Sequence, residues 1–346
     1  MYPNPLIRLP VDDFVWVIDG RDEIRSLANS LADNANVHED VESFNHIGLT
    51  VNGITVELHS TPGFMANFVY NRRLQRWLKQ NVDEQCNNMV VLPNDAGFVA
   101  VPTHSFNIVY QLYHLYHHYF YEGVGLRQVV DYYFVLVKSE ELIVKNSIAL
   151  EREFKHLGLW KFAGAMMFVL YKVMGMPKGK MIAPMDAKRG QMLLDDILNG
   201  GNFGHYDKHH VLGIYEGKEF LDDSALKDLD WNSFYEFAKK QTLVGVVFDG
   251  IQKLLKDAAP NLELLMRWFG INQKIMQRNN VLNEATVAIY NKVKDSGYSC
   301  CILKGQGNAE MYPNPLIRIP GDVDVWVNAG RDEIRSLANS LADNAN

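Results

Sequence analysis

Asp322 and Asp324 stand two residues apart in the run DVDVWV, whose polar and apolar residues alternate with the period of a half-buried strand, so both carboxylates are expected on one face. Glu57, in the run ITVELH, shares its strand parity with Thr55 and His59. Two carboxylates on one strand with a third on a neighbour suit a pair of divalent cations held by oxygen. Magnesium fits best, because it takes few carboxylates and completes its octahedron with water and phosphate oxygens. Upstream of the pair, Lys304-Gly305-Gln306-Gly307 follows the short apolar run YSCCIL, of strand length, and precedes a helix expected over 308–312. Strand, glycine turn and helix in that order offer backbone N–H groups to a triphosphate, and Lys304 adds a point charge. Each signal alone is ordinary, since an Asp-x-Asp pair is commonly strand polarity and a Lys-Gly dipeptide commonly a turn. Their order is what points to chemistry.

Other residues are read beside their plainer roles. Arg318 sits just before the Asp-x-Asp strand, where it either approaches phosphate or lies on the surface. Arg127 and Asp131 have the i, i+4 spacing of a helix ion pair. His114, His117 and His118 share one helix face, but with no Cys or acidic ligand nearby in sequence they read as a hydrogen-bonded cluster among tyrosines. The aromatic stripe from Tyr110 to Tyr121 has helical spacing and little interleaved positive charge, which favours core over a base-stacking platform. His205, His209 and His210 fall in a glycine-rich, charged stretch and read as solvated.

The elements that must position these residues follow from periodicity. Residues 45–51 and 54–59 read as two strands joined by Asn52-Gly53, a strong hairpin signal. Helical spacing runs from Ser105 to about Tyr171, and resumes over 231–256, 262–278 and 283–295, with Gly297 as a breaker. Residues 331–341 (RDEIRSLANSL) form an amphipathic helix. The expected divisions are 1–36, 37–60 (the hairpin), 61–210 (mainly helical), 211–230 (a connector), 231–298 (helical) and 299–346, which carries the intact Asp-x-Asp.

Residues 1–36 and 311–346 are nearly the same sequence. All six differences fall between positions 9 and 19, and the tail Gly20–Asn36 repeats as Gly330–Asn346 unchanged. Phe14 stands where the second copy has Asp324, so the first copy has lost the Asp-x-Asp pair. Either copy is expected to complete the same sheet. Without a cation the first is favoured, because it brings one carboxylate fewer to a crowded acidic site. A displaced copy then hangs free or enters a neighbour, giving a domain-swapped homodimer.

The residues ILKGQGNAEMYPNPLIRIPGDVDVWV, together with ITVELHS, resemble the uncharacterised nucleotidyltransferase family of the polymerase-beta-like superfamily. Members run Leu-Lys-Gly, then Tyr-Pro and Arg, then Gly-Asp-x-Asp, then a later acidic strand. The likeness continues through VPTHSFNIVYQLYHLYHHYFYEGVGLRQVVDYYFVL and covers most of the chain. It implies an α/β fold, a small mixed sheet with flanking helices beside a larger helical portion. It also implies transfer of a nucleoside monophosphate from an NTP to an acceptor hydroxyl or similar group, with release of pyrophosphate. By the resemblance Asp322 and Asp324 are paired ligands of Mg²⁺ or Mn²⁺, Glu57 is the third carboxylate, Lys304 and Gly305 form the phosphate loop, and Arg127 faces the nucleotide, with Arg318 a further candidate for phosphate by its place before the strand. Here the turn reads Lys-Gly-Gln where well-studied relatives have Gly-Ser or Gly-Gly. The third carboxylate precedes the pair along the chain, as in a circular permutant whose ancestor began near Asp230 and ended near His210. The alternative is a catalytically silent permutant serving as a nucleotide-binding, regulatory or engineered switch protein.

Composition sets outer limits. The 346 residues are 47% apolar and 22% charged, ordinary globular usage, and 34 basic against 41 acidic residues leave a charge of -7 that argues against a dedicated nucleic-acid surface. Cys86, Cys300 and Cys301 have neither disulfide-framework nor zinc spacing, which points to a reducing cytoplasm. No run approaches a membrane span, so no membrane partner is expected. The acceptor is not named by the sequence.

Overall fold

The computed structural model describes residues 46–51, 53–121, 123–200, 229–254 and 259–343. The first copy of the duplicated segment, most of the connector, and His205, His209 and His210 lie outside the described residues. The hairpin expected from Asn52-Gly53 forms as β1 (His46–Val51) and β2 (Ile54–His59), paired antiparallel with Val51 opposite Ile54. Gly53 takes φ +76, a conformation open to glycine, which suits it to the reversal between the two strands.

Helix α1 (Phe68–Gln85) starts at Asn67, whose side chain accepts from the Val69 and Tyr70 amides at 3.0 and 3.2 Å. A second hairpin, β3 (Met89–Leu92) and β4 (Gly97–Ala100), interrupts the stretch read from sequence as mainly helical. Then come α2 (His104–Tyr121), α3 (Leu126–Lys138), α4 (Glu140–His156), α5 (Trp160–Met174) and α6 (Ala187–Gly200). Past the connector, the helix expected over 231–256 is broken into α7 (Trp231–Lys240) and α8 (Val244–Ile251), with Thr242 at φ +55 between them.

The two helices expected over 262–278 and 283–295 are one continuous helix of 34 residues, α9 (Leu262–Asp295). Its apolar period is interrupted because part of its buried face is polar: Asn272, Asn279, Asn283 and Thr286 are all 5% exposed or less. The chain closes with β5 (Cys300–Ile302), the single-turn α10 (Gln306–Ala309), β6 (Val323–Val327) and α11 (Arg331–Asp343).

The main sheet is mixed, in the order β1-β2-β6-β5, with β2 parallel to β6 and the other neighbours antiparallel. Strand β6 is therefore central, and all five of its residues are buried, where alternation alone suggested a half-buried strand. The second copy of the duplicated segment supplies β6 and α11, and α11 packs against β1 and β2. Helix α2 lies across the face of β6 that carries Asp324 and Trp326. Phe106 stacks between Trp77 of α1 at 4.6 Å and Trp326 at 5.8 Å, centroid to centroid. One apolar cluster runs from Leu49 through the helices to Leu341. The first part of the aromatic stripe joins it as expected, while Phe120 near its end is exposed: Tyr110 and Tyr113 are 1% exposed and donate to the carbonyls of Pro62 and Phe64, fixing the segment that leaves β2.

Candidate active site

Parallel pairing of β2 with β6 sets Glu57 directly opposite Asp324 and His59 opposite Trp326. Since side chains alternate, Glu57, His59 and Asp324 share one face. His59 Nε2 lies 3.1 Å from Asp324 Oδ1 and 3.3 Å from Glu57 Oε2, and one ligand atom from each of the three residues falls within 4.8 Å of the others. Lys304 comes in from the end of β5 and places Nζ 2.9 Å from Asp324 Oδ1. The acidic crowd expected from sequence is thus already met by two basic side chains.

The charges answer each other. Burial alone would raise the Asp324 carboxyl, but the Lys304 charge and the hydrogen bond and charge of His59 hold it far below the usual range. Burial opposes charge on His59 and on Lys304, and the facing carboxylates overcome it, raising both. Asp322 is pushed up, first by the negative charge of Asp324 and then by burial, with Lys304 opposing. This places Asp322 within electrostatic reach of the pair. It is not one of the three residues whose ligand atoms cluster, because β6 begins only at Val323 and the ladder does not hold Asp322 against β2. A divalent cation fits the donor set of Glu57, His59 and Asp324, two carboxylates and an imidazole.

The turn before α10 is built against the same strand. Leu303 N–H donates to the Asp324 carbonyl at 3.0 Å, and Gly305 adopts φ +56, ψ −113, with the Asp322 carbonyl 3.2 Å from where a Cβ would stand. Glycine is needed here for the backbone itself. The helix that follows is one turn long, shorter than the expected 308–312 helix implied, so it carries little macrodipole. Side chains pin the turn instead. Gln306 Nε2 donates to Asn283 Oδ1 and lies 3.4 Å from Asn279 Oδ1, while Gln111 Nε2 donates to Asn308 Oδ1 at 3.2 Å. Asn279 Nδ2 reaches the carbonyls of Leu316 at 2.7 Å and Arg318 at 2.8 Å. The polar face of α9 is the cradle of the segment between β5 and β6.

Arg318 is buried, 5% exposed, and not on the surface. Its guanidinium forks onto Asp131, Nε and Nη2 each 2.8 Å from a carboxylate oxygen, and the Tyr312 hydroxyl donates to the same carboxylate at 2.6 Å. The helix ion pair expected between Arg127 and Asp131 gives way to this longer-range one. Arg127 Nη1 donates instead to the Ile319 carbonyl at 3.2 Å, leaving a buried Nε with no hydrogen-bond partner. Burial and the neighbouring Arg318 charge lower the Arg127 pKa, with Asp131 and Asp322 opposing. Both arginines therefore lie beside the approach to Asp322.

His114 and His118 are joined at 2.9 Å between their Nε2 atoms, and His114 stacks on Tyr110 at 6.1 Å, the tyrosine-bound cluster expected from sequence. Burial holds the His114 pKa well below its ordinary value, and Lys304 adds to the effect. Sequence reasoning gave no role to His59, although its i, i+2 spacing from Glu57 was the available signal, and it could not pair Asp131 with Arg318.

A family profile described as uncharacterised nucleotidyltransferase matches residues 13–175 and 227–344, most of the chain. The chain belongs to this family. Each matched stretch contains the larger part of one copy of the duplicated segment. No curated protein and no solved structure matches the chain. Membership makes nucleotidyl transfer from an NTP the general activity of this nucleotidyltransferase, and enzymes of this kind generally use divalent metals. Among the described residues, no single helix is long and apolar enough to cross a membrane.

Proposed function

We propose that the protein is a metal-dependent nucleotidyltransferase in circularly permuted form, acting on an NTP and an acceptor hydroxyl. The observation that carries this reading is the register of β2 on β6, which sets Glu57 opposite Asp324 with Lys304 2.9 Å from the latter. Glu57, Asp322 and Asp324 would hold Mg²⁺ or Mn²⁺, which supplies Lewis-acid relief of the charge that builds on the transferring phosphoryl group.

The chain's own groups do the rest. Lys304, on a long flexible stem, would reach the substrate phosphates from its place beside Asp324, and the Gly305 turn lets the backbone come close. Arg127, anchored by Ile319, directs its guanidinium toward the triphosphate. Arg318 is committed to Asp131 and acts by fixing the 312–319 segment and adding positive field. The acceptor oxygen bonds to the α-phosphorus as the bond to the pyrophosphate oxygen breaks. The acceptor proton passes to a carboxylate that faces it, Asp324 or Glu57.

The permuted order is supported by the packing of α11 on β1, as if the last helix were continuous with the hairpin. A domain-swapped dimer through the spare copy belongs to the same reading. The silent-permutant reading is favoured by one observation, that Lys304 already neutralises Asp324. Incubation with each α-³²P-labelled NTP, Mg²⁺ or Mn²⁺ and cell extract decides between them. Label transferred to one fraction, and lost with Asp324→Asn, supports the enzyme; bound nucleotide without transfer under any condition refutes it.

A further inference from the structure

We infer that His59 is a direct ligand of the active-site cation, and that it makes this nucleotidyltransferase prefer Mn²⁺ over Mg²⁺. The inference rests on the proposed function and goes beyond its all-carboxylate set. The distances carry it. At a metal–ligand bond of about 2.1 Å, neighbouring ligands of an octahedral ion stand roughly 3 Å apart. His59 Nε2 lies 3.1 Å from Asp324 Oδ1 and 3.3 Å from Glu57 Oε2, so the imidazole nitrogen already has the spacing of a ligand adjacent to each carboxylate. Asp322, by contrast, stands outside that cluster.

The backbone imposes this placement. Glu57 and His59 point to one face of β2, and the parallel ladder sets Asp324 on β6 opposite Glu57, within reach of His59. His59 is 5% exposed, so its ring is enclosed and has little room to turn away. The atom that faces the carboxylates is Nε2, a nitrogen used in imidazole ligation. Donor chemistry then sets the metal. Magnesium seeks oxygen alone, imidazole suits transition ions, and Mn²⁺ accepts both nitrogen and carboxylate. Replacing an oxygen ligand by His59 therefore weakens Mg²⁺ relative to Mn²⁺. Lys304 Nζ, 2.9 Å from Asp324 Oδ1, marks the same spot as one where a cation is stabilised.

The test uses the full chain with Mn²⁺ as probe. Titration followed by electron paramagnetic resonance counts bound Mn²⁺ with and without a non-hydrolysable NTP analogue, and pulsed measurement of the bound ion reads ¹⁴N coupling. The wild type is expected to show directly bound ¹⁴N. His59→Gln should lose that coupling and bind Mn²⁺ about 10- to 100-fold more weakly, while Mg²⁺, measured by competition, shifts far less. The wild-type spectrum decides even where the variant folds poorly. Bound Mn²⁺ that lacks ¹⁴N coupling yet is lost with Asp324→Asn overturns His59 as a ligand and leaves the carboxylate reading standing. No Mn²⁺ bound under either condition overturns both. Equal loss of Mn²⁺ and Mg²⁺ in His59→Gln refutes the preference.

Discussion

Writing the first copy's strand into the second should cost the protein a large part of its stability. The perturbation is Val323→Asp with Asp324→Phe, which places at β6 the residues that stand at Asp13 and Phe14. Val323 and Asp324 are each 2% exposed in the central strand. Replacing Val323 forfeits about 1.5–3 kcal/mol of apolar burial and buries a carboxylate with no partner, roughly 1–3 kcal/mol more. Removing Asp324 strips the shared partner of Lys304 and His59, and breaking a buried pair in this way costs about 3–5 kcal/mol. Even with heavy overlap among these effects the sum is on the order of 5 kcal/mol, comparable with the whole stability of many domains. Urea unfolding followed by circular dichroism measures it, with the single variants as intermediate arms. Deletion of residues 1–36 from the parent should leave the midpoint nearly unchanged. The expectation that the first copy is favoured without a cation thus reverses: the acidic site is not bare, and a gap of 5 kcal/mol corresponds to a ratio of several thousand in favour of the second copy. A double variant that unfolds at the parental midpoint would refute the reasoning and restore the two copies as equal competitors.

Three more outcomes are expected. Gly305→Ala, at φ +56 with the Asp322 carbonyl 3.2 Å from its Cβ, should lower stability by about 1–3 kcal/mol in a thermal melt; an unchanged melting point would mean that the turn relaxes freely. Glu57→Gln, at a side chain 24% exposed, should leave the melting point within a few degrees while nucleotidyl transfer falls about 100-fold or more, and full transfer would remove Glu57 from the proposed site. Burial would raise the Asp131 carboxyl, but facing Arg318, Arg127 and Tyr312 it is held below the usual range. A depressed carboxylate contributes stability that is present above its unfolded pKa and is lost as pH falls through its folded value. Acid unfolding of the parent should therefore show a loss below the ordinary carboxylate range. Asp131→Asn should abolish that loss and cost about 3–5 kcal/mol at neutral pH by leaving Arg318 buried without its partner; identical acid profiles would contradict this.

The residues of the sequence alone determined what is written in short-range pattern. The hairpin at Asn52-Gly53, the strand and glycine turn around Lys304, the strand of Asp324 and the closing helix all follow from periods of two or 3.6 residues and from turn chemistry, which are local. With the family resemblance, those elements pointed to nucleotidyl transfer. Tertiary structure decided which strands are neighbours. Only the parallel pairing of β2 with β6 brings His59 onto Asp324, 265 residues away in sequence, and only it makes β6 central and buried on both faces. Arg318 and Asp131, 187 residues apart, found each other in place of the i, i+4 pair because a buried guanidinium must be matched wherever the fold encloses it. The unbroken α9 escaped periodicity for a related reason: its buried asparagines hold the backbone between β5 and β6, and a polar residue facing the interior looks in sequence like one facing water.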